Sequence, residues 1–491
     1  MTFTPENILL LGSILIIAAI MISRVGYKYG IPTLLLFLFV GMAFGTDGLG
    51  LEFDNYSQAQ FLGVVAMTVI LFAGGLETNF KSVQPVLRQG VVLSTVGVLL
   101  TVLITGFFIY GMTRWLKFPI ELSVTMSLLM AAVMSSTDSA SVFSLLRENK
   151  MRLKENLQPI LELESGSNDP MAYVVTIILI EATHSLFAPG YAGGGMAVWT
   201  MIWIGFKTLL IQLIMGAVLG LAAGYGVSKL LEKITLRNTP LYAILLLAIA
   251  FFTFSLTGSL QGNGYLAVYL AGMVIGNRPL VHKKDIFRFM DGMTWMMQIA
   301  MFLTLGLLVN PKEMLQVAPV ALLVGIFMML IARPLSVFLC LIPFKGLSFK
   351  ARAFVSWVGL KGAAPILFAT YPILANIPGA HYIFNVVFFI TLVSLVCQGM
   401  SIPYVARKLH LDLPEEKKPE TFGVAMPEEA GMLKDYTIDE SDLVEGDTLK
   451  EVTLPGEGTR VVLIRRGESV IVPDGSVHLR PGDRLVLVIP E

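Results

Sequence analysis

Charged residues are scarce in this sequence: they make up 14% of its 491 residues, whereas 55% of the residues are hydrophobic. A soluble protein carries about 25% charged residues. The apolar excess therefore indicates long membrane-embedded segments rather than one large globular core. Lys and Arg together number 35, as do Asp and Glu, so the formal net charge is zero. This balance gives the chain no overall attraction to nucleic acid, and no nucleic-acid partner is expected.

Motifs that would place the chain in other classes of protein are also missing. No "GxxxxGK(S/T)" loop is present, which disfavours an ATP-driven pump. No "TVGYG"-like segment is present, so the filter of a potassium channel is missing. The two cysteines, Cys340 and Cys397, lie in apolar segments and are interpreted as packing residues. We therefore expect no cofactor, no resident metal ion and no enzymatic activity.

Apolar runs recur along the first 404 residues. About 20 apolar residues cross a bilayer core, and the sequence predicts thirteen spans. They lie at residues 6–23, 31–45, 59–76, 90–112, 119–146, 158–183, 200–227, 240–256, 264–277, 294–309, 316–341, 350–373 and 382–404. The N-terminal "MTFTPENILLLG" lacks the basic stretch of a cleavable signal peptide, so the first span is expected to be retained.

Lys and Arg are distributed unevenly among the loops between these spans. One alternating set of loops carries 18 of them, whereas the other set carries only Arg114, Lys117 and Lys312. Lys and Arg mark the cytoplasmic side of a membrane protein. The alternation predicts that all thirteen spans cross the membrane, with the N-terminus outside and the C-terminus in the cytoplasm.

The sequence changes character after residue 404. A polar, Pro-bearing stretch follows, and then short strand-like runs such as "TRVVLIRRG" and "RLVLVIP" between the turn signals "PGEGT", "PDGS" and "RPGD". We predict a transmembrane domain at residues 1–405, a cytoplasmic linker at 406–434 and a small α+β module, or an all-β one, at 435–491.

Five charged residues are candidates for functional or paired groups deep inside predicted spans, where one charge costs about 3 kcal/mol by insertion scales. They are Asp138, Glu164, Asp169, Arg333 and Lys361. A helix that begins near Pro159 places Asp169 about 15 Å along its axis, close to the middle of the membrane. Desolvation disfavours the charged form of a carboxyl group there, so Asp169 can hold a proton or a cation but not both. This predicts an exchange site, with a protonated structural Asp as the alternative.

Neighbours of Asp169 on the same helix divide into two groups. Ser165 lies four residues earlier and shares its face, which predicts an oxygen ligand, and the adjacent Asn168 is expected to support the site. Glu164 points about 140° away from Asp169. We therefore expect Glu164 to form a structural ion pair with the buried Arg333.

Two predicted spans contain helix-breaking stretches. "AAVMSSTDSASV" (131–142) is a polar island of Ser, Thr and Asp, and "VGLKGAAPILF" (358–368) combines two glycines with a proline. A serine-rich packing seam is the alternative interpretation of the first stretch. Two interrupted spans far apart in a chain indicate an inverted-repeat transporter with a midplane site. Asp138 and Lys361 would then compensate the helix-end dipoles.

Four short sequences carry a resemblance to a known family: "ESGSNDP" (164–170), "STDS" (136–139), "ARPLSVF" (332–338) and "GLKGA" (359–363). Together they resemble the NhaP-type branch of the monovalent cation:proton antiporter superfamily, over residues 5–405. "LESGSNDPMA" is most similar to bacterial cell-volume-regulation potassium/proton antiporters. Residues 435–491 resemble a TrkA-C domain, the C-terminal lobe of potassium-transport regulators.

The resemblance implies an all-α polytopic membrane fold with inverted repeats, two crossing discontinuous helices and a moving six-helix core. It implies a homodimer in the lipid of the bacterial inner membrane, with roles in pH homeostasis and cell-volume regulation. It also implies that Asp169 binds cation and proton alternately. The surrounding residues would be Ser165, Asn168, Asp138 and the Thr137 carbonyl. The Asn–Asp pair resembles that of electroneutral, one-for-one exchangers.

The identity of the cation stays open at this point. The TrkA-C-like tail favours K⁺ by association, but Ser139 and Lys361 replace the commoner Pro and Arg, so Na⁺ remains an alternative. Glu77 matches an acidic position of the family only weakly. We expect the tail to be regulatory, with a nucleotide or cyclic dinucleotide as candidate ligand, or else to help dimerisation. A ligand-gated passive cation channel is the rival from another class.

Overall fold

The computed structural model describes residues 5–29, 31–115, 122–149, 151–187, 195–280, 282–344, 346–414, 433–443, 446–452, 454, 459–467 and 469–488. The described chain divides into two compact units, residues 1–414 and 415–491. Helices of the first unit are α1 (Pro5–Tyr29), α2 (Thr33–Phe44), α3 (Tyr56–Glu77), α4 (Phe80–Val83), α5 (Leu87–Val92), α6 (Val98–Trp115), α7 (Val124–Val133), α8 (Ser139–Glu148), α9 (Leu157–Phe187), α10 (Gly195–Lys233), α11 (Pro240–Ser259), α12 (Gly264–Gly276), α13 (Lys283–Leu307), α14 (Pro311–Phe327), α15 (Arg333–Leu341), α16 (Phe349–Trp357), α17 (Ala363–Leu374), α18 (Ala380–Ser394) and α19 (Met400–Lys408).

Six helical stretches in the described part of the chain are long and apolar enough to cross a membrane. They are Tyr56–Glu77, Phe80–Trp115, Trp199–Lys233, Pro240–Ser259, Pro311–Leu341 and Ala380–Lys408. In three of these stretches a π turn joins two α-helices, at residues 93–97, 328–332 and 395–399. Shorter apolar helices such as α2, α7, α12 and α17 pack beside them.

Two of the predicted spans are interrupted. The predicted span 119–146 is split between the end of α7 at Val133 and the start of α8 at Ser139, and its residues 119–121 lie outside the described chain. The predicted span 350–373 is split between Trp357 and Ala363. Each half is too short to cross a membrane alone, since about 20 residues are needed. The polar groups freed by each interruption must therefore be satisfied inside the protein.

Close backbone contacts hold the helices of this unit together. A Cβ on Gly41 of α2 would lie 2.4 Å from the backbone oxygen of Leu303, and one on Gly306 of α13 would lie 2.5 Å from that of Leu38. Both positions require glycine, because any side chain would separate α2 from α13. Small residues serve this purpose in membrane helices, where packing rather than the hydrophobic effect drives association.

A short antiparallel ribbon completes the first unit. Strand β1 (Met151–Leu153) joins α8 to α9 and pairs with β2 (Asp412–Pro414), which follows α19. Helix α19 continues to Lys408, so residues 406–414, predicted as the start of the linker, belong to the first unit. The rest of the predicted linker, residues 415–432, lies outside the described residues.

The second unit contains an antiparallel sheet built from β3 (Leu433–Thr437), β4 (Arg460–Arg466), β5 (Ser469–Ile471) and β6 (Arg484–Val488), in the order β3–β6–β4–β5. Among the described residues of this unit, the helical element is a 3₁₀ turn, Glu440–Leu443. Strand β3 begins inside the predicted linker. The sheet packs over Ile438, Ile464 and Leu485, each fully buried.

Candidate functional site

The first interruption leaves backbone polar groups between α7 and α8 without helical hydrogen bonds. Its residues 135–138 follow the last turn of α7 and run to Asp138, the N-cap of α8. The Asp138 carboxylate accepts hydrogen bonds from the backbone N–H of Ser141 at 3.2 Å and from its hydroxyl at 2.5 Å. A carboxylate at this position accepts hydrogen bonds from free N–H groups of the first turn. Its negative charge also interacts favourably with the positive end of the helix dipole. The polar island is therefore a helix break with its own cap.

The second interruption lies directly against the first. The N–H of Asp138 donates to the backbone oxygen of Leu360 at 2.8 Å, and Nζ of Lys361 donates to that of Ser136 at 2.9 Å. A Cβ on Gly362 would lie 2.5 Å from Oδ2 of Asp138, so this glycine permits the contact. Lys361 is 3% exposed and carries its charge to the end of α7 where free carbonyls accumulate. Each break thus satisfies polar groups of the other.

Helix α9 brings its polar face to the same place. The hydroxyl of Ser165 donates to the backbone oxygen of Thr137 at 3.0 Å, and the amide of Asn168 donates to the Thr137 hydroxyl. The carboxylate of Asp169 accepts a hydrogen bond from the hydroxyl of Ser136. The structure therefore brings together Thr137, Asp138, Ser165, Asn168 and Asp169, which were the residues predicted to surround the ion.

Ser136 is the contact that sequence reasoning did not assign. It was recognised as part of the polar island, but not as a partner of Asp169. Its side chain lies in the non-helical segment between α7 and α8, so helical periodicity could not indicate where it points. Its adjacency to Thr137 and Asp138 was the only available signal.

Glu164 and Arg333 lie in direct contact. Oε1 of Glu164 is 2.5 Å from Nη2 of Arg333, and their side chains are 2% and 6% exposed. Arg333 begins α15 directly after a π turn, and a Cβ on Gly359 would lie 3.3 Å from Cγ of Arg333. The contact joins α9 to α15 and to the second interruption. Breaking a buried pair leaves one uncompensated charge, which costs about 3–5 kcal/mol.

Asp169 lines a cavity of about 200 Å³ that runs between α3, α8 and α9 toward the β1 end of the bundle. Asp138 and Ser165 share its wall, and two further carboxylates, Glu77 and Glu162, lie along it. Glu162 is seven residues before Asp169 and so lies on the same face of α9. The weakly matching Glu77 is thereby placed on the wall of the cavity rather than in contact with Asp169.

Aromatic rings pack on the other side of Asp169. Tyr173, one turn further along α9, lies 5.1 Å from Tyr265, 6.1 Å from Phe368 and 5.5 Å from Tyr371, measured between ring centroids. Tyr265 and Phe368 are fully buried. Asp169 thus lies between the cavity on the β1 side and this aromatic cluster further along α9.

A partly buried carboxyl group beside two interrupted membrane helices is the architecture of an ion-coupled secondary transporter. The sequence matches the transmembrane sodium/hydrogen exchanger family over residues 12–408 and the TrkA-C domain over residues 433–491. The chain belongs to the sodium/hydrogen exchanger family: it is a multi-pass membrane antiporter of cations and protons, and not an enzyme.

Named relatives give the same assignment, and a solved structure has a similar fold. The chain is 38% identical to the K(+)/H(+) antiporter NhaP2 of Shewanella sp. (strain MR-4), over 98% of this chain and 81% of the relative. It is 37% identical to the K(+)/H(+) antiporter NhaP of Alkalimonas amylolytica, with the same coverage of both chains. Its fold is similar to that of the sodium proton antiporter MjNhaP1 from Methanocaldococcus jannaschii at pH 8, with a TM-score of 0.69, 22% identity, and coverage of 82% of this chain and 99% of that one.

Proposed function

We propose that this chain exchanges K⁺, in preference to Na⁺, for protons across the bacterial inner membrane. The observation that carries this proposal is the position of Asp169, at the inner end of a cavity and beside both interruptions. Two relatives that align with 98% of the chain are named K⁺/H⁺ antiporters, which supports K⁺ as the cation.

Asp169 performs the exchange by holding one positive species at a time. When ionised, its carboxylate attracts the cation, and the Ser165 hydroxyl, the Thr137 carbonyl and the Asp138 carboxylate supply oxygen atoms around it. When a proton binds Asp169, the negative charge that retains the cation is lost and the cation leaves. Asn168 contributes no second titrating charge, so one proton replaces one cation and the exchange is electroneutral.

Alternating access requires that only one side of the site be open at a time. The cavity and the aromatic cluster supply an open side and a closed side, which fits a state that faces the cytoplasm. The proposed topology has thirteen spans in inverted repeats, with the N-terminus outside, the C-terminus in the cytoplasm and two copies forming a homodimer. Within each copy, the Glu164–Arg333 pair holds α9 in place, and Asp138 and Lys361 compensate the broken helices.

The C-terminal module is proposed to regulate transport from the cytoplasm. The TrkA-C match at residues 433–491 supports this role. A nucleotide or a cyclic dinucleotide is the class of ligand to test there.

Everted membrane vesicles with an imposed acidic interior test the exchange. We expect K⁺ to dequench an interior pH-sensitive dye strongly, Na⁺ and Li⁺ to do so less, and choline not at all. Because the exchange is electroneutral, an imposed membrane potential should leave the rate unchanged. Cation flux without proton movement would identify a passive channel instead, and a higher rate with Na⁺ would overturn the K⁺ preference.

A further inference from the structure

The ribbon of β1 and β2 connects two parts of the chain that are far apart in sequence. Cα partners in the ladder are Met151 with Pro414, Arg152 with Leu413, and Leu153 with Asp412. Strand β1 is the loop between α8 and α9, the two helices that carry Asp138 and Asp169. Strand β2 holds the last residues of the membrane unit, directly before the chain continues toward the C-terminal module.

Contacts on either side of the ladder strengthen this connection. The N–H and Nζ of Lys154 donate to the backbone oxygens of Leu411 and His410, both at 2.9 Å. Leu411 is 2% exposed and belongs to the main hydrophobic core. The carboxylate of Glu155 accepts hydrogen bonds of 2.8 Å from both the N–H and the hydroxyl of Ser348, the N-cap of α16. Residues 151–155 therefore bind the segment after α19 and the start of α16.

The same segment forms part of the cavity that leads to Asp169. Met151 and Leu153 line this cavity together with Arg147 at the end of α8. A displacement of β1 would move the cavity wall and the adjoining ends of α8 and α9 together. The residues directly before the linker are thus attached to the helices that hold the ion.

We propose that residues 151–155 and 410–414 form a clasp through which the C-terminal module acts on the ion-carrying helices. The clasp stays closed during transport and moves as one body with α8, α9, α16 and α19. A displacement of the chain after Pro414 is then transmitted first to the helices around Asp169. This inference rests on the regulatory role proposed for the module, and it names the route of that regulation.

A reversible disulfide across the ribbon tests whether the clasp stays closed. Opposed residues of an antiparallel pair lie about 4.5–5.5 Å apart between Cα atoms, within the range that a disulfide spans. Arg152→Cys and Leu413→Cys are introduced into full-length protein with Cys340→Ala and Cys397→Ala, and the single-cysteine variants are the controls. The antiport rate after oxidation should stay within about twofold of the rate in the reduced sample. A twofold change is smaller than the usual effect of breaking a coupling contact. Loss of transport on oxidation, absent from the single variants, would show that the strands must separate and would overturn the proposal.

Loosening the clasp tests whether it carries regulation. In the double-cysteine protein, Leu411→Ser removes the buried anchor of β2. We expect the antiport rate to change by at least about threefold in the reduced sample, which is typical of a coupling residue, and to return on oxidation. Both rates are measured on one sample, so a change in rate that reverses on oxidation is not a folding defect. Leu413→Ser, an exposed position in the same strand, is the matched control in the cysteine-free background.

Disruption of the module by Asp483→Ala in the full chain separates failure of the clasp from failure of the proposed function. A changed rate with Asp483→Ala, but an unchanged rate with Leu411→Ser, would show that the module acts by another route. A rate unchanged by both would remove the regulatory role itself. An effect of Leu411→Ser that persists after oxidation would also contradict the clasp.

Discussion

Nζ of Lys361 donates a 2.9 Å hydrogen bond to the backbone oxygen of Ser136, the residue whose hydroxyl bonds the carboxylate of Asp169. One residue of the first interruption is therefore held from two sides, by a cation of the second interruption and by the proposed ion-binding group. This relationship ties the integrity of the helix breaks to the chemistry of the site.

Removal of the Lys361 charge should impair both stability and transport. Lys361→Met leaves the Ser136 carbonyl without its buried donor and removes a buried positive charge beside the site, so we expect a loss of about 2–3 kcal/mol in stability and a large loss of antiport. Lys361→Arg keeps the charge and should retain transport. Thermal unfolding in detergent and vesicle assays measure the two effects. Full transport by Lys361→Met would show that charge compensation at this position is unnecessary.

The Ser136 hydroxyl should contribute to cation binding. Without it, the ionised Asp169 loses a hydrogen bond to a charged group, which corresponds to about 1.5–3 kcal/mol. We expect Ser136→Ala to raise the apparent KM for K⁺ roughly tenfold or more, whereas Ser136→Thr should restore it. Ser135→Ala is the matched control, since the Ser135 hydroxyl donates to the backbone oxygen of Ala132. Equal effects at the two positions would indicate a general packing defect.

The Glu164–Arg333 pair should act on stability more than on ion affinity. Glu164→Arg or Arg333→Glu alone places two like charges in a buried contact, and we expect each to cost at least about 3–5 kcal/mol. The double exchange restores opposite charges and should be more stable than either single variant. Thermal unfolding of the three purified proteins measures this coupling. Equal instability in all three would count against a specific ion pair.

Stability of the C-terminal module should depend on pH through Asp483. Burial alone would raise the pKa of Asp483, but hydrogen bonds from Arg466 and from the backbone N–H of Arg480, together with the charges of both arginines, lower it below the usual value. A carboxyl group whose pKa is lowered on folding stabilises the folded state above its unfolded pKa, about 3.9, and this contribution is lost as the pH falls through the folded pKa.

Hydrogen exchange of the β6 amides in the full-length protein measures that dependence. We expect protection to fall on acidification below about pH 4. Asp483→Asn should remove this part of the dependence and cost about 2–3 kcal/mol, because Arg466 is 30% exposed and its charge is partly screened. Asp447→Asn, at a 61% exposed carboxylate, is the control. An unchanged acid profile in Asp483→Asn would contradict this role.

Much of the membrane unit could be predicted because its signals are local. An apolar run has to be long to cross lipid, and a Ser-Thr-Asp run or a Gly-Pro combination weakens a helix wherever it occurs. The polar face of α9 followed from helical periodicity, which placed Ser165 beside Asp169 and Glu164 away from it.

Other features depend on contacts between distant segments and left little trace in the sequence. The Ser136 side chain belongs to the non-helical segment between α7 and α8, which has no period to extrapolate. Strands β1 and β2 contain three residues each and pair across more than 250 positions. The alternating Leu409, Leu411 and Leu413 distinguish the stretch after α19 from a linker, but the charged residues around them concealed this pattern.

Cation-dependent proton movement in vesicles containing Asp169→Asn is the most direct measurement of the central claim. An amide at position 169 takes up no proton and carries no charge to retain a cation, so the signal should fall to that of empty vesicles. Asp285→Asn, an exposed carboxylate on α13, should transport normally. Exchange at the normal rate by a folded Asp169→Asn protein would contradict the account.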